Sequence, residues 1–176
     1  PTLTASGCAA AGKELSQFGD VSTLGAVVTK SIMLEPRSGR ATPRMAETPS
    51  GMLNSIGLQG PGIESFIEND LAWLRANNVT TIVSIAGNNV EEFGELARIL
   101  AKVEGVDGLE VNISCPNVES RGQVFACNPI SAAQVIETVR SVWHSDAPVL
   151  AKLSPDVTDI VEIAHSVVEA GVDGVS

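Results

Sequence analysis

The chain has 176 residues, a formal net charge of −10 and a sequence pI near 4.5. That balance, with no basic cluster to offset it locally, argues against nucleic acid or an anionic membrane surface as a partner. Hydrophobic residues make up 44% of the chain, enough for a core, yet no apolar run approaches the roughly 18 residues of a membrane helix.

Taken in order, residues 2–6 read as a strand that runs into Ser6-Gly7, and residues 24–30 as a second strand closed by Lys30. Residues 32–61, with prolines at 36, 43 and 49, have no periodicity and are expected to be irregular. A connection of that length is typically a lid or a binding loop. Ile63, Phe66, Ile67, Leu71 and Leu74 then recur at helical spacing, followed by a strand over 80–86. Phe93, Leu96, Ala97 and Leu100 mark a helix with Glu91-Glu92 at its solvated start, where the macrodipole favours acids. Residues 108–114 form the next strand, with Leu109, Val111 and Ile113 on one face and Glu110, Asn112 and Ser114 on the other. Asn128-Pro129 predicts an N-cap before a helix through Ala132, Val135, Ile136, Val139 and Val142. A strand over 148–154 and a helix through Ile160, Ile163, Ala164 and Val167 follow; Gly171 ends that helix, and a sixth strand begins near Asp173.

An internal echo joins Val106-Asp107-Gly108 to Val172-Asp173-Gly174, 66 residues apart. That interval fits two strand–helix units of about 33 residues each. Repeated units of this kind predict a single α/β domain over residues 1–176 with a parallel sheet, either doubly wound or closed as a barrel. The chain holds five units and a stub, begins at Pro1 and stops inside an apparent strand, so it reads as a fragment.

Cys8, Cys115 and Cys127 are odd in number and irregularly spaced, which excludes a disulfide framework and a zinc motif and points to reduced thiols in the cytoplasm. Cys115-Pro116 sits where a strand ends, flanked by Asn112 and Asn117. A thiol there is a candidate general base, or else a small buried residue without chemistry. Lys30 and Lys152 close or interrupt apolar strands, where an ammonium group needs an anion, an ion pair or a snorkelling path. His144 and His165 read as surface residues, and no phosphate-binding or dinucleotide glycine motif is present.

Together, Ala5-Ser6-Gly7, Thr29-Lys30-Ser31, Glu35-Pro36-Arg37, Thr42-Pro43-Arg44, Asn54-Ser55-Ile56-Gly57-Leu58, Asn112-Ile113-Ser114-Cys115-Pro116-Asn117 and Lys152-Leu153-Ser154-Pro155 resemble the dihydroorotate dehydrogenase family. The cysteine points to class 1, and residues 46–54 resemble the NAD-linked 1B branch. The resemblance implies a (β/α)8 TIM barrel, truncated here to about its first five strand–helix units, that oxidises dihydroorotate to orotate in UMP biosynthesis. It implies Cys115 as the base, and Lys30, Asn54, Ser55, Ile56, Gly57, Leu58, Asn112 and Asn117 around the substrate. Ser6, Lys30, Ser31, Ser84, Asn112 and Lys152 would line FMN. An electron-transfer subunit with FAD and a [2Fe–2S] cluster, and an oligomeric full-length protein, are also implied. Ala126-Cys127 stands where relatives often carry Gly-Thr, and Ser84 where they often carry asparagine. The FMN barrel of a dihydropyrimidine dehydrogenase and a barrel fragment without catalysis are the competing readings.

Overall fold

The computed structural model describes residues 2–114 and 125–176. Five parallel strands form one sheet: β1 (Val27–Val28), β4 (Thr81–Ile85), β5 (Gly108–Asn112), β6 (Val149–Lys152) and β7 (Gly174–Val175). Their spatial order follows the chain order, without the reversal that defines a doubly wound sheet. The first predicted strand is reduced to a bridge between Leu3 and Ala26 beside β1.

Helices cover one face of this sheet. They are α1 (Ile63–Ser65), a π-helical stretch (Phe66–Leu71), α2 (Ala72–Ala76), α3 (Val90–Leu100), α4 (Pro129–Val142) and α5 (Ile160–Glu169). Val83, Ile85, Leu109, Val111, Ile113, Val149 and Ala151 point into the core shared with Phe93, Leu96, Val135, Ile136 and Val167. The other face carries a small apolar cluster of Ala26, Val28 and Ile82 against Leu150. Beyond that cluster it turns polar, with Ser84, Glu110 and Asn112 buried among the strands. A buried strand with one apolar and one polar face needs partners for the polar one, and these come from neighbouring strands.

Local signals explain several elements. Asn128 caps α4 by accepting from Ser131 N–H at 3.0 Å, with Pro129 in the first turn. Asn89 caps α3 through Glu92 N–H, while the Glu92 carboxylate accepts from Asn88 N–H at 2.8 Å. The helix after residue 62 departs from plain α geometry. Phe66 and Leu71 are both buried five residues apart, which the π-helical stretch permits, and Asp70 turns outward to Lys13 at 2.8 Å. Ile160, expected on the buried face of α5, is instead 45% exposed at the first position of that helix, next to the Asp159 cap. Residues 45–54 also differ from expectation. They form an antiparallel hairpin of β2 (Met45–Thr48) and β3 (Gly51–Asn54), every residue of which is exposed.

The 66-residue echo has a structural cause. Asp107 accepts from Thr81 N–H at 2.8 Å and Asp173 from Val149 N–H at 2.8 Å, so each aspartate closes the start of the preceding strand. An arginine accompanies each one. Arg75 pairs with Glu104 and packs on Gly105, while Arg140 bonds Gly171 O and Asp173. The Val149 N–H holds the Asp173 carboxyl below its ordinary 3.8, assisted by the Arg140 guanidinium and opposed by burial. A depressed carboxyl adds stability that is fully present above 3.8 and is lost as pH falls through the lower folded value. Asp173→Asn is therefore expected to lower the urea midpoint at neutral pH, with the gap to wild type closing as acid protonates the native carboxyl. A gap that stays constant down to acid pH would contradict this role.

Candidate functional site

The site is built where β1 ends. Thr29 N–H donates to Ile82 O at 3.0 Å, but the next sheet donor is Ile32, to Ser84 O at 2.8 Å, so one extra residue sits in this strand. The Thr29 hydroxyl accepts from Ser84 N–H at 3.1 Å, and Lys30 N–H leaves the sheet for Ala10 O at 2.9 Å. This is a bulge, a device that re-aims side chains at the rim of a sheet. Strict alternation would send Lys30 and Ser31 to opposite faces. Here Lys30 lines the main cleft while Ser31 turns its hydroxyl to Ser84 and Asn112.

That cleft, of about 1340 Å³, lies between the Ser6-Gly7 turn, residues 36–40 and the hairpin with the segment after it. It brings Lys30 together with Asn54, Ser55, Ile56, Gly57 and Leu58. Two glycines let its walls meet. A Cβ on Gly39 (φ +75°) would lie 2.5 Å from Ile56 O, and one on Gly57 (φ +78°) would lie 2.9 Å from Arg40 N. Arg40 N–H and Ile56 O join the two segments at 3.0 Å.

Beside the cleft, Ser6, Ser31, Ser84 and Asn112 form one hydrogen-bonded group. Ser31 Oγ lies 3.4 Å from Ser6 Oγ, 3.0 Å from Ser84 Oγ and 2.8 Å from Asn112 Nδ2. Ser84 is fully buried and donates to Glu110 Oε1 at 2.9 Å. Lys152 pairs in register with Asn112 at the end of β6. Cys115 and Asn117 lie outside the described residues. The chain is tied down on both sides of them: Asn112 Oδ1 accepts from Ser114, and Ala126 N–H donates to Ile113 O at 3.1 Å. Ala126, at the position of the Ala126-Cys127 departure, is fully buried, while Cys127 is exposed.

Electrostatics set the character of the cleft. Lys30, Arg37 and Arg40 line it, and no carboxylate does so among the described residues. Neither Lys30, Arg40 nor Lys152 has a side-chain hydrogen bond or ion pair among the described residues, whereas Arg37 reaches Asn88 Oδ1 at 3.3 Å. The expectation of no local basic cluster is thereby corrected. Arg37, Arg40 and Arg44 fall within eight residues that contain no acid, a pattern hidden by the chain-wide balance. Unpaired cations around a concave site attract a planar anionic ligand, and hydroxyl, carboxamide and ammonium donors suit the polar edges of a ring. The polar groups beside the cleft, three serines, Asn112 and Lys152, also fit the edge of a flavin ring, with the Lys152 ammonium group as the donor uncommitted among the described residues.

A family profile described as dihydroorotate dehydrogenase matches residues 1–176. The chain belongs to the dihydroorotate dehydrogenase family. It is 48% identical over its whole length to a protein of Geotalea uraniireducens named dihydroorotate dehydrogenase B (NAD(+)), catalytic subunit. Proteins of the same name from Geobacillus sp. and Halalkalibacterium halodurans are 47% and 48% identical over all 176 residues. The chain spans 56–57% of the length of these relatives. Among the described residues, no helix is long and apolar enough to cross a membrane, and no group of three His, Cys, Asp or Glu side chains is placed to hold a metal ion.

Proposed function

We propose that this chain is part of an FMN-containing (β/α)8 barrel that oxidises dihydroorotate to orotate in the cytoplasm, for pyrimidine synthesis. The observation that carries the reading is a cleft lined, among the described residues, by three cations and no carboxylate in a chain of net charge −10. Dihydroorotate is a small ring bearing a carboxylate, and such a site would hold it. Support for barrel closure comes from the sheet: its strands follow chain order, helices cover one face, and Leu3 and Val175 at its two edges are each 48% exposed. Further strands would cover both edges.

In this reading Lys30 pairs with the substrate carboxylate, and Asn54, Asn112 and Asn117 hold the amide edges of the ring, supported by the backbone of Ser55, Ile56, Gly57 and Leu58. Ser6, Ser31, Asn112 and Lys152 face the flavin edge, and Ser84 stands behind them. FMN, when bound, supplies the two-electron acceptor for the hydride from C6. Cys115 removes the C5 proton as general base. The Lys152 ammonium group offers positive charge where negative charge develops on reduction. The names of the relatives favour an NAD-linked catalytic subunit; its partner in this reading is a second, electron-transferring subunit that carries FAD and a [2Fe–2S] cluster.

The test is anaerobic addition of substrate to the full-length protein loaded with FMN. Dihydroorotate is expected to bleach the flavin, and dihydrouracil is not. Bleaching by dihydrouracil alone, or by neither compound, would overturn the reading. Lys30→Ala is expected to weaken orotate binding by roughly ten- to a hundredfold, the loss of one charge-assisted hydrogen bond of about 1.5–3 kcal/mol. An orotate titration with unchanged affinity would contradict the placement of Lys30.

A further inference from the structure

We propose that Ser84 is a positioning residue that links the buried carboxylate of Glu110 to Ser31 and Asn112, and thereby anchors the nitrogen end of the Asn112 carboxamide. The link to ligand recognition rests on the function proposed above. Counting protons gives the direction of every bond. Glu110 is 4% exposed, and its carboxylate oxygens only accept. Ser84 Oγ donates to Oε1 at 2.9 Å and Ser176 Oγ to Oε2 at 3.0 Å. The single proton of Ser84 is thus taken, so the 3.0 Å contact with Ser31 requires Ser31 to donate. With the Ser31 proton also taken, Asn112 at 2.8 Å must present its nitrogen, and Ser6 at 3.4 Å must donate as well.

The far end of the chain of bonds gives the same answer independently. Ser114 N–H can only donate, and it meets Asn112 Oδ1 at 3.2 Å, with the Ser114 hydroxyl at 2.6 Å. The carboxylate at one end and the backbone amide at the other therefore demand one orientation of Asn112. Ser84 is the only side chain hydrogen-bonded to both Glu110 and Ser31 among the described residues. Without its hydroxyl, Ser31 loses its acceptor and can turn its proton toward Asn112. Ser114 still holds Asn112 Oδ1, but the nitrogen end of the carboxamide loses its fixed acceptor. A ligand that reads the fixed carboxamide binds less well, and the same loosening reaches Ser6.

The test uses the full-length protein with two replacements that are isosteric with each other, Ser84→Thr and Ser84→Val. Both add bulk at a buried position, and only threonine keeps the hydroxyl. The valine variant is expected to bind orotate at least tenfold more weakly than the threonine variant. In protein labelled with 15N-asparagine, the Asn112 side-chain amide is expected to lose protection from hydrogen exchange with valine and to keep it with threonine. Equal protection in the two variants would overturn the proposal, and unequal protection with equal orotate affinity would overturn its link to recognition. If the added bulk prevents folding, Ser84→Ala against wild type makes the same comparison without extra volume. Should the wild type fail to bind orotate, the function proposed above fails, and amide protection still decides the relay.

Discussion

Replacing Cys115 with alanine in the full-length protein is expected to slow the bleaching of bound flavin by dihydroorotate by about 10²–10⁴-fold, the usual contribution of a positioned base. Orotate affinity should fall much less, because the ring would be held by Lys30 and the asparagines rather than by the thiol. Cys115→Ser separates basicity from packing. A hydroxyl of similar size is much harder to ionise than a thiol, so the serine variant should recover activity only as pH rises. Stopped-flow measurement of the reductive half-reaction across pH distinguishes the three proteins. An alanine variant that reduces flavin at the wild-type rate would remove Cys115 as the base and assign the proton to another acceptor.

The elements that were readable in the sequence share a property: their signal is local or faces the core. Asn128-Pro129 announces α4 because the cap and the constrained first turn lie next to each other in the chain. Leu109, Val111 and Ile113 announce β5 because each is fully buried against helices. The hairpin of β2 and β3 has no such face. All eight of its residues are exposed, so its strands are held by the ladder between them and leave no apolar alternation to read. Only Pro49-Ser50-Gly51 marked the turn.

The site was legible residue by residue but not in its geometry. Lys30, Ser31 and the segment from Asn54 to Leu58 were singled out from their motifs, while the means of bringing them together was hidden. The bulge at Thr29–Ser31 depends on the Thr29 hydroxyl taking the place of a backbone acceptor for Ser84, and no composition rule predicts that exchange. Arg37, quoted only as part of a motif, and Arg40 were not read as cleft residues because a net charge of −10 averages over the whole chain, whereas a ligand meets the charges that line one cleft. Glu110 was visible as a polar residue on a strand. Its importance lies in Ser84 and Ser176, which bond it from two other segments of the chain, and in Ser31, which reaches it through Ser84.

Phe93→Ala carries the largest expected cost in stability. Phe93 is 1% exposed on α3 and meets Phe125 edge-to-face, with ring centroids 5.8 Å apart and an interplanar angle of 85°. Truncating a buried phenylalanine costs about 3–5 kcal/mol, against a total domain stability of about 5–15 kcal/mol. The urea midpoint of the full-length protein should fall accordingly, and an unmoved midpoint would contradict the packing. The consequence reaches beyond stability, because Phe125 begins the short turn whose next residue, Ala126, donates to Ile113 O at the end of β5. The ring pair thus clamps the return of the chain from the segment that bears Cys115. A double-mutant cycle of Phe93→Leu and Phe125→Leu should give a coupling of about 0.5–1.5 kcal/mol, the range for an aromatic pair. If the clamp also serves the chemistry, both single variants should slow flavin reduction more than they weaken orotate binding, since the proton acceptor would lose its fixed distance to the ring while the cationic cleft stayed intact.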